Sequence, residues 1–495
     1  MNIISEYVRE QKRYSKEELK NIFKLNNDEV KVFIQRLKLY GVLKAVNATK
    51  KEKDLNDLID DELEVVDLEE SVDGYYYIFK FVGVMTVGKR IIKCFPKYLL
   101  NNNNPEKEMK QVLKVLKKYN SKEQIISSFN GYFEENRFNL LYIIIYILND
   151  YYENGIYVNQ HDIIESNGEG EILWDKTINE TFAIVSNNIP FYTELQTLNM
   201  VDDDMNYFSR LHRFIITECS NKLREGNLLE LFDMEEIILS DEGLSDFGDV
   251  DYILYRINNE LNNQFITRKQ LLLKTLYTYI SRRHSFLDDF GISIYGTSSF
   301  NLVWEKVCSD AFDNKLSKKL KDLKLPMKLQ GKYEELKEKT LLEIIEKPKW
   351  KCFIDEKSYT KKAKDTLTPD FICIYENNGN KCFGIFDAKY YNIVLEKDKL
   401  SGYPGIGDVT KQYLYQLAYN DFIKNHRFNY VRNAFLMPTE NDKPILNGEV
   451  EMGILKGLSE PSLTNILVVK LPAHKIYECY LQGKKIDINN EYSFL

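Results

Sequence analysis

The sharpest constraint in this 495-residue chain is local. Two runs of β-forming residues, Thr368–Tyr375 and Lys381–Lys389, flank Glu376-Asn377-Asn378-Gly379-Asn380. Asn-Gly is the strongest short hairpin signal, because both residues tolerate positive φ. With Asn378 and Gly379 as the loop, residue i pairs with residue 757 − i, so Asp370 falls opposite Asp387. Directly opposed residues share a face, with Cβ atoms about 4.5–5.5 Å apart. Lys389, two residues beyond Asp387, shares that face. A loop one residue longer or shorter breaks the alignment.

Two carboxylates side by side repel unless a cation lies between them. Oxygen donors of this kind suit Mg²⁺, which keeps several waters and also binds substrate phosphate. The expected chemistry is therefore metal-dependent phosphodiester hydrolysis. Asp370 and Asp387 would be metal ligands, and Lys389 would position water and offset developing charge. Glu305 is the candidate third acid and metal ligand. It lies on an amphipathic helix from Phe300 to Cys308, whose Phe300, Val303, Trp304 and Val307 face inward. The plain alternatives are a solvent-exposed helix Glu and an ordinary hairpin with solvated charges. For the hairpin, Pro369-Asp370, the Asn-Gly loop, the register and the apolar neighbours together favour a site.

The length implies two to four domains. A formal net charge of −8 argues against a simple nucleic-acid coating protein. It leaves room for a local basic contact surface. Between Lys315 and Lys364 sixteen lysines stand against eight acids, which reads as either a solvated face or a DNA contact. Seven scattered cysteines without metal-ligand spacing fit a reducing compartment and no structural zinc. Met1–Glu10 is polar, so no signal peptide is expected, and no apolar run is long enough to span a bilayer. The expected location is cytoplasmic.

Along the chain, Ser15 and Glu18 form a capping box that opens a helix through Leu25. Asn27 or Asp28 caps a second helix that Gly41 ends, and a short strand follows at Val42-Leu43-Lys44. That outline is winged-helix-like, a unit that binds DNA or mediates protein contacts. An acidic connector spans Lys51 to Asp73. Strands are expected over Tyr75–Val84 and Arg90–Phe95 around Gly88. Helices are expected over Glu106–Glu153, Asp204–Leu229, Asp251–Arg283, Ser299–Leu320 and Asp408–Asn425. No Walker A phosphate loop is present. The expected fold class is multidomain α+β. It comprises a winged-helix-like module and connector (1–73), a mixed α/β middle region with a docking role (74–287), and a C-terminal α/β domain with a central mixed sheet (288–495).

Pro369-Asp370 followed by Asp387-Ala388-Lys389 resembles the PD-(D/E)xK nuclease signature, with Asp387 in place of the commoner Glu. The resemblance implies a preceding helix carrying Glu305, and a following helix whose Gln412 or Gln416 supports the site. More specifically, the chain resembles LlaJI-type restriction endonucleases, which are related to the McrC subunit of modification-dependent restriction systems. Its markers are Phe81-Val82-Gly83-Val84, Cys94-Phe95-Pro96-Lys97-Tyr98, Gly168–Trp174, Phe191-Tyr192-Thr193-Glu194 and Tyr295-Gly296-Thr297. That resemblance implies a double-stranded DNA substrate and Mg²⁺ as cofactor, with Mn²⁺ able to substitute. It also implies an McrB-like AAA+ GTPase motor and a DNA methyltransferase in the same system. The motor is expected to dock on residues before Asp288. Two other readings stay open: a stand-alone site-specific nuclease, and a catalytically inactive DNA-binding or assembly subunit.

Overall fold

The computed structural model describes residues 3–47, 75–101, 105–119, 140–203, 206–282, 292–354, 357–377, 379–456, 463–488 and 492–495. The connector expected over Lys51–Asp73 and the boundary expected near Asp288 lie outside them. The first elements are β1 (Ile4–Arg9), β2 (Arg13–Tyr14), α1 (Lys16–Ile22), α2 (Asn27–Leu39), β3 (Leu43–Asn47), β4 (Tyr75–Phe79), β5 (Val82–Val87), β6 (Arg90–Phe95) and α3 (Glu106–Tyr119). Next come α4 (Leu140–Asn154), β7 (Asn159–Ser166), β8 (Glu171–Ile172), α5 (Trp174–Glu180), β9 (Ala183–Ser186), β10 (Ile189–Tyr192), β11 (Gln196–Asp203), α6 (Tyr207–Glu225), α7 (Val250–Asn263) and α8 (Thr267–Arg282). The last are β12 (Ile292–Thr297), α9 (Phe300–Ala311), β13 (Lys349–Ile354), β14 (Lys357–Lys362), β15 (Phe371–Asn377), β16 (Asn380–Ala388), β17 (Val394–Glu396), β18 (Lys399–Ser401), α10 (Ile406–Asn425), β19 (Tyr430–Thr439), β20 (Ile445–Val450), β21 (Ile466–Pro472) and α11 (Ala473–Gln482).

The chain forms two compact units. One holds Met1–Ile3, Met85–Ile91 and Glu135–Tyr295; the other holds Ile4–Val84, Ile92–Glu134 and Gly296–Leu495. In the first, β11 is the middle strand of an antiparallel sheet between β7 and β8, and β9 pairs with β10 as a separate hairpin. Gly170 packs against the backbone of Leu198, where a Cβ would stand 1.9 Å from the carbonyl oxygen. No larger residue fits there, which gives the Gly168–Trp174 marker a steric cause. The helix expected over Asp251–Arg283 is two helices, α7 and α8. Its apolar period runs on, but Gln264 turns extended (φ −90°, ψ 133°) and ends α7. The pair then packs together and buries Ile253, Ile257, Leu272 and Leu276.

In the second unit the N-terminal residues build two helices and the antiparallel sheet β2-β4-β3. Ser15 and Glu18 make the expected capping box. The cap of α2 is Asn26, one residue earlier than expected, and its side chain accepts from Asp28 and Glu29 N–H groups. Gly41 (φ 69°) ends α2 with bonds from its N–H to Lys38 and from Val42 N–H to Leu37. Leu19, Phe23, Val30, Phe33 and Leu37 are buried, and the Phe23 and Phe33 rings lie 5.0 Å apart.

The C-terminal part of this unit is built on a five-stranded mixed sheet, ordered β15-β16-β19-β21-β20. Its outer pairs are antiparallel, and the inner pairs β16–β19 and β19–β21 are parallel. Ile372, Phe383 and Ile385 present one face to Tyr415, Tyr419 and Phe422 of α10. Phe371 and Phe386, of opposite parity, meet Phe312 just past α9, the first stacked and the second edge-on. The helix expected to run to Leu320 stops at Ala311. Asp313 reverses the chain at φ 56°, which sends Leu316 and Leu320 into the α10 core. The lysine-rich stretch thus buries its own Leu316, Leu320, Tyr333, Leu341 and Ile345. No helix among the described residues is long and apolar enough to cross a membrane.

Candidate active site

The hairpin β15–β16 closes through Gly379 at φ 77°, with Asn377 paired to Asn380 and Phe371 to Phe386. Asn378 lies outside the described residues. Every pair of the hairpin sums to the expected 757, and Asp370 and Asp387 stand one residue beyond its last pair, Phe371–Phe386. The two carboxyl groups hydrogen-bond one another. Asp370 Oδ2 also accepts from the Ala388 N–H at 2.9 Å. Lys389 Nζ stands 3.1 Å from Asp387 Oδ2 and 2.9 Å from Asp408 Oδ1.

Burial dominates this cluster. It pushes the Asp387 carboxyl well above the usual carboxylate range, reinforced by Asp370 beside it and opposed by Lys389. Asp370 is raised by burial too, partly relieved by the hydrogen bond with Asp387. Burial works against the Lys389 charge, but Asp387 and Asp408 outweigh it and hold the ammonium above its ordinary value. Burial and mutual repulsion thus favour the protonated form of the pair, the effect an external cation would counter.

Glu305 sits half-buried on α9, raised by burial, with Lys389 lowering its value and Asp387 raising it. It belongs to the same electrostatic cluster. Its helix is pinned by Trp304 Nε1, which donates to Leu436 O at 3.1 Å, the same carbonyl that accepts the Lys389 N–H at 2.9 Å. Gln412 is fully buried on α10 and donates from Nε2 to Ile385 O at 2.9 Å, on the strand that carries Asp387. Its Oε1 is buried with no hydrogen-bond partner. Gln416 points elsewhere, its Oε1 accepting from Thr464 N–H at 3.2 Å and Oγ1 at 3.0 Å. Among the described residues, no group of three or more His, Cys, Asp or Glu side chains lies close enough to hold a metal. Asp370 and Asp387 stand as a pair.

Three partners escaped sequence reasoning. Asp408 holds Lys389 from the first turn of α10. Glu10 accepts from Tyr390 OH at 2.5 Å and from Lys97 N–H at 3.1 Å, and Asn392 Nδ2 donates to Lys97 O at 2.7 Å. These bonds fix the segment just after Lys389. A cavity of about 280 Å³ opens beside the acids, and Lys44, Lys80, Lys97, Glu305, Lys389 and Asp408 line it.

A sequence profile described as LlaJI restriction endonuclease matches residues 81–344 and 340–471, more than half of the chain. The chain belongs to the LlaJI restriction endonuclease family. Another protein similar to it is the "Type II restriction enzyme BsuMI component YdjA" of Bacillus subtilis (strain 168). The two are 30% identical over 428 residues, which covers 84% of each chain. Among solved structures, a chain of the Thermococcus gammatolerans assembly of McrB AAA+ hexamers with bound McrC matches 97% of this chain and 99% of its own. Identity is 13% and the TM-score 0.35. For this LlaJI family member the profile runs from Phe81, between β4 and β5, to Leu471 in β21. It therefore includes the whole β15–β16 hairpin and α10.

Proposed function

We propose that this chain hydrolyses phosphodiester bonds of double-stranded DNA with a divalent metal, as the nuclease subunit of a restriction system. The observation that carries the reading is the pair of buried Asp387 and half-buried Asp370, held together with Lys389 at 3.1 Å from Asp387. Membership of a restriction endonuclease family supports the reaction class. We read the β15–β16–β19–β21–β20 sheet with α9 and α10 as the PD-(D/E)xK core, and the N-terminal module as winged-helix-like.

The donors fit Mg²⁺, or Mn²⁺ in its place. Two adjacent carboxylates driven toward neutrality by each other and by burial present hard oxygens and a deficit of positive charge. A site of one or two carboxylates, completed by water and substrate phosphate, is how Mg²⁺ is commonly held. When bound, such an ion supplies a Lewis acid for the scissile phosphate and an acidified water. Asp370 and Asp387 would hold it, with Glu305 as the third acid of the cluster. Lys389, clamped by Asp408, keeps its proton and donates it as a hydrogen bond toward the reacting oxygens, where it offsets negative charge. Gln412 braces the strand carrying Asp387 through Ile385 O.

We further propose an AAA+ GTPase motor as partner and a methyltransferase in the same system, acting against foreign DNA. The word "component" in the name of the Bacillus subtilis relative fits a multi-subunit enzyme. The first unit exposes Trp174, Phe182, Ile184, Val185, Ile189 and Phe191 on and around its β9–β10 hairpin. An exposed apolar cluster of that kind suits a docking surface for the motor. Asp370→Ala and Asp387→Ala should each abolish Mg²⁺-dependent DNA cutting while leaving folding and partner association intact. Cutting at the normal rate by either variant would overturn the site.

A further inference from the structure

The strands β13 and β14 form a two-stranded antiparallel ribbon with Lys349 opposite Lys362, Trp350 opposite Lys361 and Ile354 opposite Lys357. Every residue of both strands is exposed, on both faces. The two strands carry five lysines and no acid, and the sequence that joins them is Asp355-Glu356. Its large apolar residues also face water, with Trp350 72% and Phe353 77% accessible. A bare two-stranded ribbon is marginal in water, and one that strands a Trp and a Phe in solvent gains nothing from the fold it projects from. At its base the two legs stay paired. Ala363 N–H bonds Pro348 O at 2.8 Å, and Lys347 Nζ bonds Lys364 O at 2.6 Å. The pairing thus runs beyond the strands, and the ribbon's faces combine ammonium groups with exposed aromatic rings, with Glu346 beside Lys349 at the base.

Resting on the DNA reading above, we infer that this ribbon is a duplex-binding element that lies in a groove of the DNA beside the scissile phosphate. The major groove is wide enough for a two-stranded ribbon. Alternation puts Lys349, Lys351 and Lys362 on one face and Lys357 and Lys361 on the other, so phosphates on both groove walls meet an ammonium. Trp350 and Tyr359 then cover sugar and base edges that would otherwise stay wet. Reach agrees as well. Lys362 is eight residues from Asp370, at most about 30 Å of extended chain, within roughly one turn of duplex.

The test uses the full-length chain and a fluorescent 30-base-pair duplex in Ca²⁺, with affinity measured across a salt series. Lys351→Gln/Lys361→Gln should bind roughly tenfold more weakly. Its slope of log K against log salt should fall by about two, since each lost phosphate contact contributes about 0.9. Trp350→Ala should weaken binding without changing the slope. Both variants lie on exposed positions, so an unchanged melting temperature verifies the fold. The inference is overturned if the double variant keeps the wild-type affinity and slope, or if the wild-type chain fails to bind the duplex at low salt. It is equally overturned if the variants lose association with another protein while holding DNA normally. Asp387→Asn separates the two claims. It should bind the duplex normally but fail to cut, and if it cuts, the catalytic assignment falls while the ribbon result stands on its own.

Discussion

Each unit buries a carboxylate, and the two are treated in opposite ways. In the first, Asp150 accepts from Arg268 Nε at 3.2 Å and Nη2 at 2.7 Å, and from Asn154 Nδ2 at 3.0 Å. Charge and lone pairs are matched on the spot. In the second, Asp370, Asp387, Asp408 and Glu305 gather around the ammonium of Lys389. Burying charge costs several kcal/mol per ion unless it is paired. A fold that balances one buried acid and leaves a cluster unbalanced shows where structure ends and function begins. Asp150 is a strut, and the Asp370–Asp387 pair is a socket that shares Lys389 with Asp408.

The largest effect that could break this contrast is on catalysis. Asp387→Asn should reduce DNA cutting by at least about a thousandfold, in line with the loss of a metal-binding or charge-stabilising group. The same change relieves repulsion between neighbours, so in EDTA the variant should melt at or above the wild-type temperature. Calorimetry beside a cleavage assay reads both. A melting temperature several degrees lower would make Asp387 another strut.

The strut answers the other way. Arg268→Ala strips the partner from a buried carboxylate and should destabilise the protein by about 3–5 kcal/mol. Denaturant titration measures that loss, and the protein that remains folded should cut at the wild-type rate. Near that pair, His212 is fully buried, and its Nδ1 accepts from Tyr157 N–H at 2.9 Å. Burial lowers its value to about 4, with Asp150 opposing and Arg268 assisting. The unfolded chain takes up this proton near pH 6.5 and the folded chain only near 4. The stabilising contribution is therefore complete above pH 6.5 and declines as pH falls toward 4, by up to about 3 kcal/mol. His212→Gln, which keeps an acceptor for Tyr157, should flatten that slope in denaturant titrations at pH 7 and 4.5.

What was legible in the sequence follows the same division. The hairpin could be read because its information is local. Two turn residues and strand alternation fix which side chains meet, and the observed register obeys them. The capping box at Ser15 and the Gly41 stop are equally short-range. Long-range pairings were not readable. The bond from Tyr390 to Glu10 spans 380 residues, and nothing near either residue marks it. The break between α7 and α8 was hidden because the apolar period continues across Gln264, and α9 ended early at a single reversal, Asp313. The lysine-rich stretch had two readings, and it divides. Its first part carries lysines outside a buried leucine face, and its second part is the bare ribbon.

Asp408 is where the comparison sharpens most finely, because it reaches Lys389 from a different element than Asp387 does. It takes Lys389 at 2.9 Å from nineteen positions further along the chain, in the first turn of a helix whose amide ends favour negative charge. Its effect should be one of placement. Asp408→Asn leaves a hydrogen-bond acceptor near Lys389 and removes a charge, so cutting should fall about tenfold, far less than on loss of Asp387. The charge also holds the Lys389 proton in place. Without it the ammonium titrates at lower pH, and the alkaline limb of the cleavage profile should move down in pH. A tenfold loss with the limb unmoved would mean that Asp408 merely props the helix. A shifted limb with the rate restored at lower pH would show that the lysine needs its proton to work, and that one acid of the cluster exists to keep it there.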